Sequence, residues 1–410
     1  MQPDYDLVIV GGGLAGSCLA LALKDTGLKI AMVEADTREQ LQSSPVGDRA
    51  LALAAGTVEV LRSLGIWQDV DDKATPIMHI HISDRGHFGK VRLSAEKEHV
   101  SALGYVITAR DIETHMAALV EQAGLTRFCP ARVVGLMSGT DEVNVSLRSG
   151  NESLNISAKL LVGADGGNSS VRKLLDIPQR ITEYRQTALV TTVKTAIPHN
   201  NTAFERFTAS GPLALLPVAK NHCAVVWTRT DEEAEALMLG SETDFLAELQ
   251  QLFGYRLGEL TLIAPRRVFP LSLIRAERMI AGRAVIIGNA AHQLHPVAGQ
   301  GFNLGLRDVV QLADSLSQAV HSGGDIGAAE FLQAYAAARQ QDHDRVIGFT
   351  DSVVKIFSND WPALAAARNI GLALLDHIPS AKSLLARQAM GFAGHIAGKS
   401  EATHKNAPSD

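Results

Sequence analysis

The spacing of apolar residues divides the chain into stretches with different periods. Residues 6–10 (DLVIV) are a short continuous apolar run that predicts a buried strand, 14–24 carry apolar residues at helical spacing, and 29–34 predict a second strand. A helical crossover between two such strands makes them parallel. The spacing then predicts a short helix over 57–65, with turns and exposed strand in DRGHFGKVRLSAEK from Asp84. A further helix is predicted over 111–123, with Asp111 as N-cap and Ile112, His115, Met116 and Leu119 on one face. SAKLLVGADGGNSSVRKLL, from Ser157, repeats the order strand, glycine turn, helix.

After Ile177 the pattern changes. EYRQTALVTTVKT and NHCAVVWTRT are rich in β-branched residues, and FTASGPLALLPV between them is punctuated by Gly and Pro. This region predicts a mostly antiparallel sheet with one helix over 243–253, striped by Phe245, Leu246, Leu249 and Leu252. The first pattern resumes at GRAVIIGNAAH, and the helix after it shows Phe302, Leu306, Val309, Ala313 and Leu316 on one face. Two more helical stretches lie beyond Asp360, split by Pro379, the second with Ser380 as N-cap. The expected fold is therefore α/β: a discontinuous Rossmann-like dinucleotide domain (1–76, 100–180 and 275–355), an inserted mostly antiparallel β-sheet substrate domain (77–99 and 181–274), a C-terminal helical segment (356–395) and a disordered polar tail (396–410). A cleft between the two domains is the natural place for a ligand.

A net charge of −6 over 410 residues argues against a nucleic-acid partner. Apolar runs stop short of the roughly 18 residues a membrane span needs. The N-terminus lacks a basic region ahead of its apolar stretch, so the expected location is the cytoplasm, with peripheral contact at the inner membrane left open for the C-terminal helices. Cys18, Cys129 and Cys223 form neither a disulfide framework nor a zinc pattern and are expected to be small core residues. His292 and His295 form an HxxH pair without an evident third ligand, so no metal site is expected.

Chemistry concentrates in two glycine-rich turns. Gly11, Gly13 and Gly16 have GxGxxG spacing between a strand and a helix. There they would give a tight turn, backbone approach to a pyrophosphate and close helix packing, with Glu34 at the end of the next strand on a ribose diol. This motif alone leaves FAD and NAD both open. In the later turn a strand ends at Gly288, a loop with Pro296, Gly299 and Gly301 follows, and a new helix points free N–H groups past Gln300 and Gly301. Such an N-terminus suits the anionic N1 and C2 carbonyl edge of a reduced flavin, whereas a nicotinamide needs no second loop.

GxGxxG, GADG at residues 163–166, and GNAAH…P…GQG from Gly288 occur in this order across nearly the whole chain. Together they resemble the aromatic hydroxylase family of flavoprotein monooxygenases, and LALAAGTVEVLRSLGIW, HISDRGHFG, AFERFTASGPLALLP and RNIGL resemble its ubiquinone-hydroxylase branch. The resemblance implies FAD as cofactor and NAD(P)H as reductant. It further implies O2 activation as a flavin C4a-hydroperoxide and oxygen transfer to a lipid-tailed phenol. It implies that Arg49 and Arg110 contact flavin or its pyrophosphate and that Asp165 contacts cofactor or pyridine nucleotide. Phe302 and Asn303 would border the ring, and Leu14, Ala15, Ala35 and Val133 join the cofactor-binding positions. Asn289 stands where most relatives have Asp and would accept a ribityl hydroxyl more weakly than a carboxylate does. No catalytic base is identified; His222 and Tyr184 are isolated polar residues of the sheet domain. Other ubiquinone-biosynthesis proteins and a homo-oligomer are open as partners. The rival readings are an NAD-dependent dehydrogenase, a non-catalytic flavin-binding assembly subunit, and a sibling hydroxylase acting at another ring carbon.

Overall fold

The computed structural model describes residues 2–357 and 362–391. Its first sheet is built on Tyr5–Val10, whose apolar run is buried because parallel neighbours flank it on both sides. These are Ile30–Val33 and Glu152–Gly163, and Ala284–Ile286 adds to the latter in parallel, so the fourth strand arrives from a distant part of the chain. Arg132–Ser138 and Val143–Ser149 extend Glu152–Gly163 as an antiparallel hairpin. The Leu14–Leu23 helix lies against both Ala109–Gln122 and Gln300–His321, and Leu19, Leu161, Val285, Val309 and Leu316 belong to one buried core.

The second sheet has nine strands, antiparallel except where Thr202–Thr208 pairs in parallel with His79–Asp84. Alternation along its strands sends Leu189, Leu213, Val225 and Trp227 to one face, where Phe245, Leu249 and Leu252 of the Glu242–Phe253 helix cover them. The opposite face carries Ile82 and Phe207 toward Val297 of the second glycine loop and Val354 of the Ala329–Phe357 helix. His292–Gln293 of that loop pairs with Arg267–Ala276, so the loop is itself an edge of the second sheet.

Several local expectations are corrected. Ala109–Gln122 is capped by Thr108, whose Oγ1 accepts the Asp111 N–H at 3.1 Å; Asp111 lies inside the first turn. Pro379 does separate the two C-terminal helices, but it is itself the first residue of the second, Pro379–Ala389, whose N-cap is Ile378 and not Ser380, since its fixed φ suits the first helical position. The strand Lys90–Ser94 is half buried, with Val91 and Leu93 inward. Asp231–Leu239 is a helix within the expected sheet region, closed by a Thr230–Glu233 capping box. Ala329–Phe357 was also unforeseen, because polar Arg339 and His343 lie on its buried face. Cys18 and Cys223 are buried, but Cys129 is exposed. No helix of the described residues is long and apolar enough to cross a membrane. The polar tail and Trp361 lie outside the described residues.

The C-terminal helix Pro362–His377 is held to the sheet by a buried ion pair: Arg368 Nε donates to Asp84 Oδ2 at 2.7 Å, and Asn369 Nδ2 donates to the same oxygen at 2.8 Å. Replacing Asp84 with Ala removes the buried carboxylate that Arg368 and Asn369 both engage. The expected loss is about 3–5 kcal/mol, measured by denaturant unfolding, with the C-terminal helices becoming the first segment cut in limited proteolysis.

Candidate functional site

The first glycine turn is shaped by contacts no side chain could tolerate. Gly11 has φ +105°, and a Cβ there would lie 2.5 Å from the Ala164 carbonyl oxygen; one on Gly16 would lie 1.9 Å from the Gly11 oxygen. At Gly13, the N-cap of Leu14–Leu23, a Cβ would meet nothing within 4 Å, and the first helical turn carries no acid. The helix start therefore offers backbone N–H groups and its positive end to an open face. Buried Glu34 accepts the Gly12 N–H at 2.6 Å and the Asp36 N–H at 3.0 Å, which fixes its carboxylate beside the turn. Ala35 follows it at the half-exposed edge, and Ala131, two residues before buried Val133, donates its N–H to the Glu34 carbonyl at 2.7 Å.

The second turn abuts the first. Gly288 has φ +58°, and a Cβ on it would lie 3.2 Å from Ala15 Cβ in the first turn of Leu14–Leu23; one on Gly305 would lie 3.3 Å from Gly288 Cα. Gly299 takes the left-handed conformation (φ +62°) as N-cap of Gln300–His321, after a turn opened by Pro296, and Gly301 faces open space. Asn289, next to Gly288, is exposed. Gln300 is buried, and Phe302 packs partly buried on the main core.

Two expected contacts have internal uses. Asn303 is buried: Oδ1 accepts from Ala54 N–H at 3.1 Å and Thr57 Oγ1 at 2.7 Å, while Nδ2 donates to the Gly299 carbonyl at 2.7 Å and the Ala52 carbonyl at 3.3 Å. It fixes the start of its helix to the Ala50–Ala54 strand. Asp165 Oδ2 caps the short Ser170–Leu174 helix, accepting from Ser170 N, Ser170 Oγ and Val171 N at 2.7–3.1 Å, while its Oδ1 is buried without a partner among the described residues.

The arginines flank the first turn. Arg110 donates Nη2–H to Asp48 Oδ1 at 2.6 Å and to the Ser44 carbonyl at 2.9 Å, leaving Nη1 buried without a partner among the described residues. Burial lowers the Arg49 pKa and raises that of Glu113, and attraction between the two opposes both shifts.

Beneath the second turn lies a cluster that spacing did not reveal. Asp308, fully buried, accepts from His292 Nε2 at 2.8 Å, His343 Nε2 at 2.7 Å, Arg339 Nε at 2.8 Å and, at 3.3 Å, the Gly288 N–H. Burial alone would raise its pKa, but the histidines hold it well below the usual carboxylate value. His292, Asp308 and His343 form the one group among the described residues with metal-ligand proximity. Arg339 already supplies the compensating positive charge. His295 does not join the cluster; its Nδ1 accepts the Val297 N–H at 3.1 Å and its ring meets Tyr184 edge-on, centroids 5.3 Å apart.

Residues 4–350 match the FAD binding domain family. The chain belongs to that family. Its relatives include ubiquinone hydroxylase UbiL of Rhodospirillum rubrum (35% identity, covering 94% of this chain and 89% of that protein) and 3-demethoxyubiquinol 3-hydroxylase of Escherichia coli (30%, covering 96% and 98%). Among solved structures, p-nitrophenol 4-monooxygenase PnpA from Pseudomonas putida DLL-E4 is similar at TM-score 0.78 and 17% identity, covering 95% of this chain and 99% of that one, which speaks to the fold. For an FAD binding domain the geometry fits: both glycine-lined helix starts leave open space at Gly13 and Gly301, and Arg110 keeps a free cationic N–H.

Replacing Asp308 with Asn removes the buried carboxylate that Arg339, His292 and His343 share, leaving Arg339 only Asp342, and should cost about 3–5 kcal/mol, seen in denaturant unfolding. Because the folded-state pKa of Asp308 is depressed, its contribution is complete above the unfolded value and fades only as pH falls through the folded one. The stability gap between parent and variant should therefore be flat from pH 5 to 8 and narrow on strong acidification.

Proposed function

We propose that the protein is an FAD-dependent, NAD(P)H-using aromatic monooxygenase that hydroxylates a polyprenylated methoxyphenol in ubiquinone biosynthesis, in the manner of 2-octaprenyl-6-methoxyphenol hydroxylase. The Gly288 turn, which abuts Ala15 in the first helix start and Gly305 inside the second helix, carries this reading, because one extended cofactor would touch both glycine-lined segments. The UbiL and 3-demethoxyubiquinol 3-hydroxylase relatives supply the substrate class, and the latter keeps a sibling hydroxylation at another ring carbon as the second reading.

When bound, FAD supplies hydride acceptance from NAD(P)H and, with O2, the oxygen that reaches the phenol ring. The protein's part is to hold and shield. Gly11, Gly13 and Gly16, with Leu14 and Ala15, take the pyrophosphate; Glu34 takes the ribose; Arg49 and Arg110 balance phosphate charge. The start of Gln300–His321 sets a positive helix end against the reduced ring's anionic edge. The sheet face with Ile82 and Phe207, opposite Val297, excludes water and receives an apolar-tailed substrate. The domain division read from the sequence belongs to the same proposal, with the cofactor on the first sheet and the phenol against the second. Ile370, Leu374 and Ile378 give the C-terminal helices an exposed apolar stripe for peripheral contact with a membrane that holds the substrate.

Titration with FAD should give a yellow complex that bleaches on anaerobic NAD(P)H addition. Offering each prenylphenol intermediate and identifying the hydroxylated product fixes the ring carbon. Asn289→Leu should weaken FAD retention by about tenfold, the size of one hydrogen bond to a buried ligand; retention equal to the parent removes Asn289 from the ribityl contact.

A further inference from the structure

His295 lies in the second glycine loop immediately before Pro296, and the functions described so far leave it unused. It is 1% exposed. Its Nδ1 accepts the Val297 N–H at 3.1 Å, an arrangement that requires the neutral imidazole to carry its proton on Nε2. That Nε2 is buried without a hydrogen-bond partner among the described residues. Burial also depresses the imidazole pKa to about 4, so the ring stays neutral and remains a donor through the physiological range. A buried N–H without an acceptor is costly, and native proteins place few of them away from ligand sites.

The packing of the loop around this donor separates substrate from cofactor. Gly288, at the start of the loop, faces Ala15 and the dinucleotide helix, but His295 packs edge-on against Tyr184 of the second sheet. Val297, two residues on, belongs to the cluster of Phe207, Val354, Phe357 and Tyr184 on the sheet face. Tyr184 sits where the register of Gln179–Thr195 shifts, between Glu183 and Gln186, and the adjacent Arg185 has φ +52°, an uncommon conformation for a residue with a side chain. The bulge turns Tyr184 toward the loop, and its hydroxyl donates to Asp351 Oδ1 at 3.4 Å, with Asp351 in turn paired to Lys355. Tyr184 and Asp351 are thus engaged with one another and with Lys355, and the His295 N–H has no acceptor among the described residues in these apolar surroundings.

We propose that His295 is a catalytic residue that donates its Nε2 hydrogen to the phenolic oxygen of the substrate. This rests on the monooxygenase reading above. No proton is transferred: the imidazole keeps its hydrogen, and the bond strengthens as the phenol oxygen gains negative charge. A neutral donor at this point orients the ring and favours its electron-rich form without placing a full cation in an apolar pocket.

The test uses the FAD-loaded, full-length protein and two probes, a short-prenyl methoxyphenol and its methyl ether. Parent protein should bind the phenol about tenfold or more tightly than the ether. His295→Leu should retain FAD and its visible spectrum, lose most of that preference, and release more peroxide per NAD(P)H consumed, whereas His295→Gln, which restores a donor at similar reach, should recover the preference. A Leu variant with the parent's phenol-to-ether ratio overturns the proposal, as does a parent with no such ratio. Failure of the parent to take up FAD overturns the monooxygenase reading instead and the proposal with it. If the Leu variant does not fold, the His295 imidazole proton followed by NMR in the parent replaces it: a downfield shift with the phenol and none with the ether supports the assignment, and an unmoved signal sinks it.

Discussion

The second glycine turn is held by a single buried carboxylate. Asp308 receives hydrogen bonds from Gly288 at the head of the turn, His292 within it, and Arg339 and His343 on the long helix behind it, and its own carbonyl takes the Tyr335 hydroxyl at 3.1 Å. An ionised carboxylate far from water needs partners on both oxygens, and here the turn supplies those of one oxygen and the long helix those of the other. Arg339 then reaches Asp342, which reaches Arg307 on the same helix as Asp308, so charges alternate around a closed circuit. Movement of any one segment would open that circuit, which makes the turn rigid although it is rich in glycine.

Rigidity matters because the site is made chiefly of backbone. At Gly11, Gly16 and Gly288 the chain passes close to another part of itself, while at Gly13 and Gly301 it faces open space. Packing glycines and presenting glycines therefore alternate within each motif. Tyr5–Val10 places the first helix start and Ala284–Ile286 of the same sheet places Gly288, and the meeting of Gly288 with Ala15 depends on parallel pairing of Ala284–Ile286 with Glu152–Gly163. The same loop then leaves the first sheet, pairs with Arg267–Ala276 and becomes an edge of the second. One segment thus faces a dinucleotide side with Gly288 and a sheet side with His295.

Features set by neighbours in sequence were legible in the residues. GxGxxG, Glu34 at a strand end and the stripe of Gln300–His321 all depend on short-range spacing, and the structure places them as expected. Features set by long-range closure were not. His292 reads as half of an HxxH pair, yet its partner is Asp308 on the following helix and then His343, with His295 turned elsewhere. Asn303 reads as a ring neighbour, but Ala54 and Thr57, some 250 positions earlier, engage its amide. Tyr184 had no pattern around it, because a bulge rather than alternation decides where it points. A signal was present in one case: polar Tyr335, Arg339 and His343 fall at one-turn spacing on a helix face, which marks a buried polar stripe once the helix is known.

The neutral residue at position 289 follows from this charge layout. Asp308 is already the acidic group below the turn, and Arg339 balances it within the buried circuit, so little positive charge is left over for a second carboxylate. Asn289 is exposed and follows Gly288, which meets Ala15 in the first turn of Leu14–Leu23, so it lies near the positive end of that helix. An aspartate there would compete with an anionic cofactor for that same helix end. On the proposed reading, an amide would accept a ribityl hydroxyl through its oxygen, could donate through its nitrogen, and would leave the dipoles to the ring. On that reading the hydrogen bond to the cofactor would be weaker, but the field offered to the reduced ring would be undiminished.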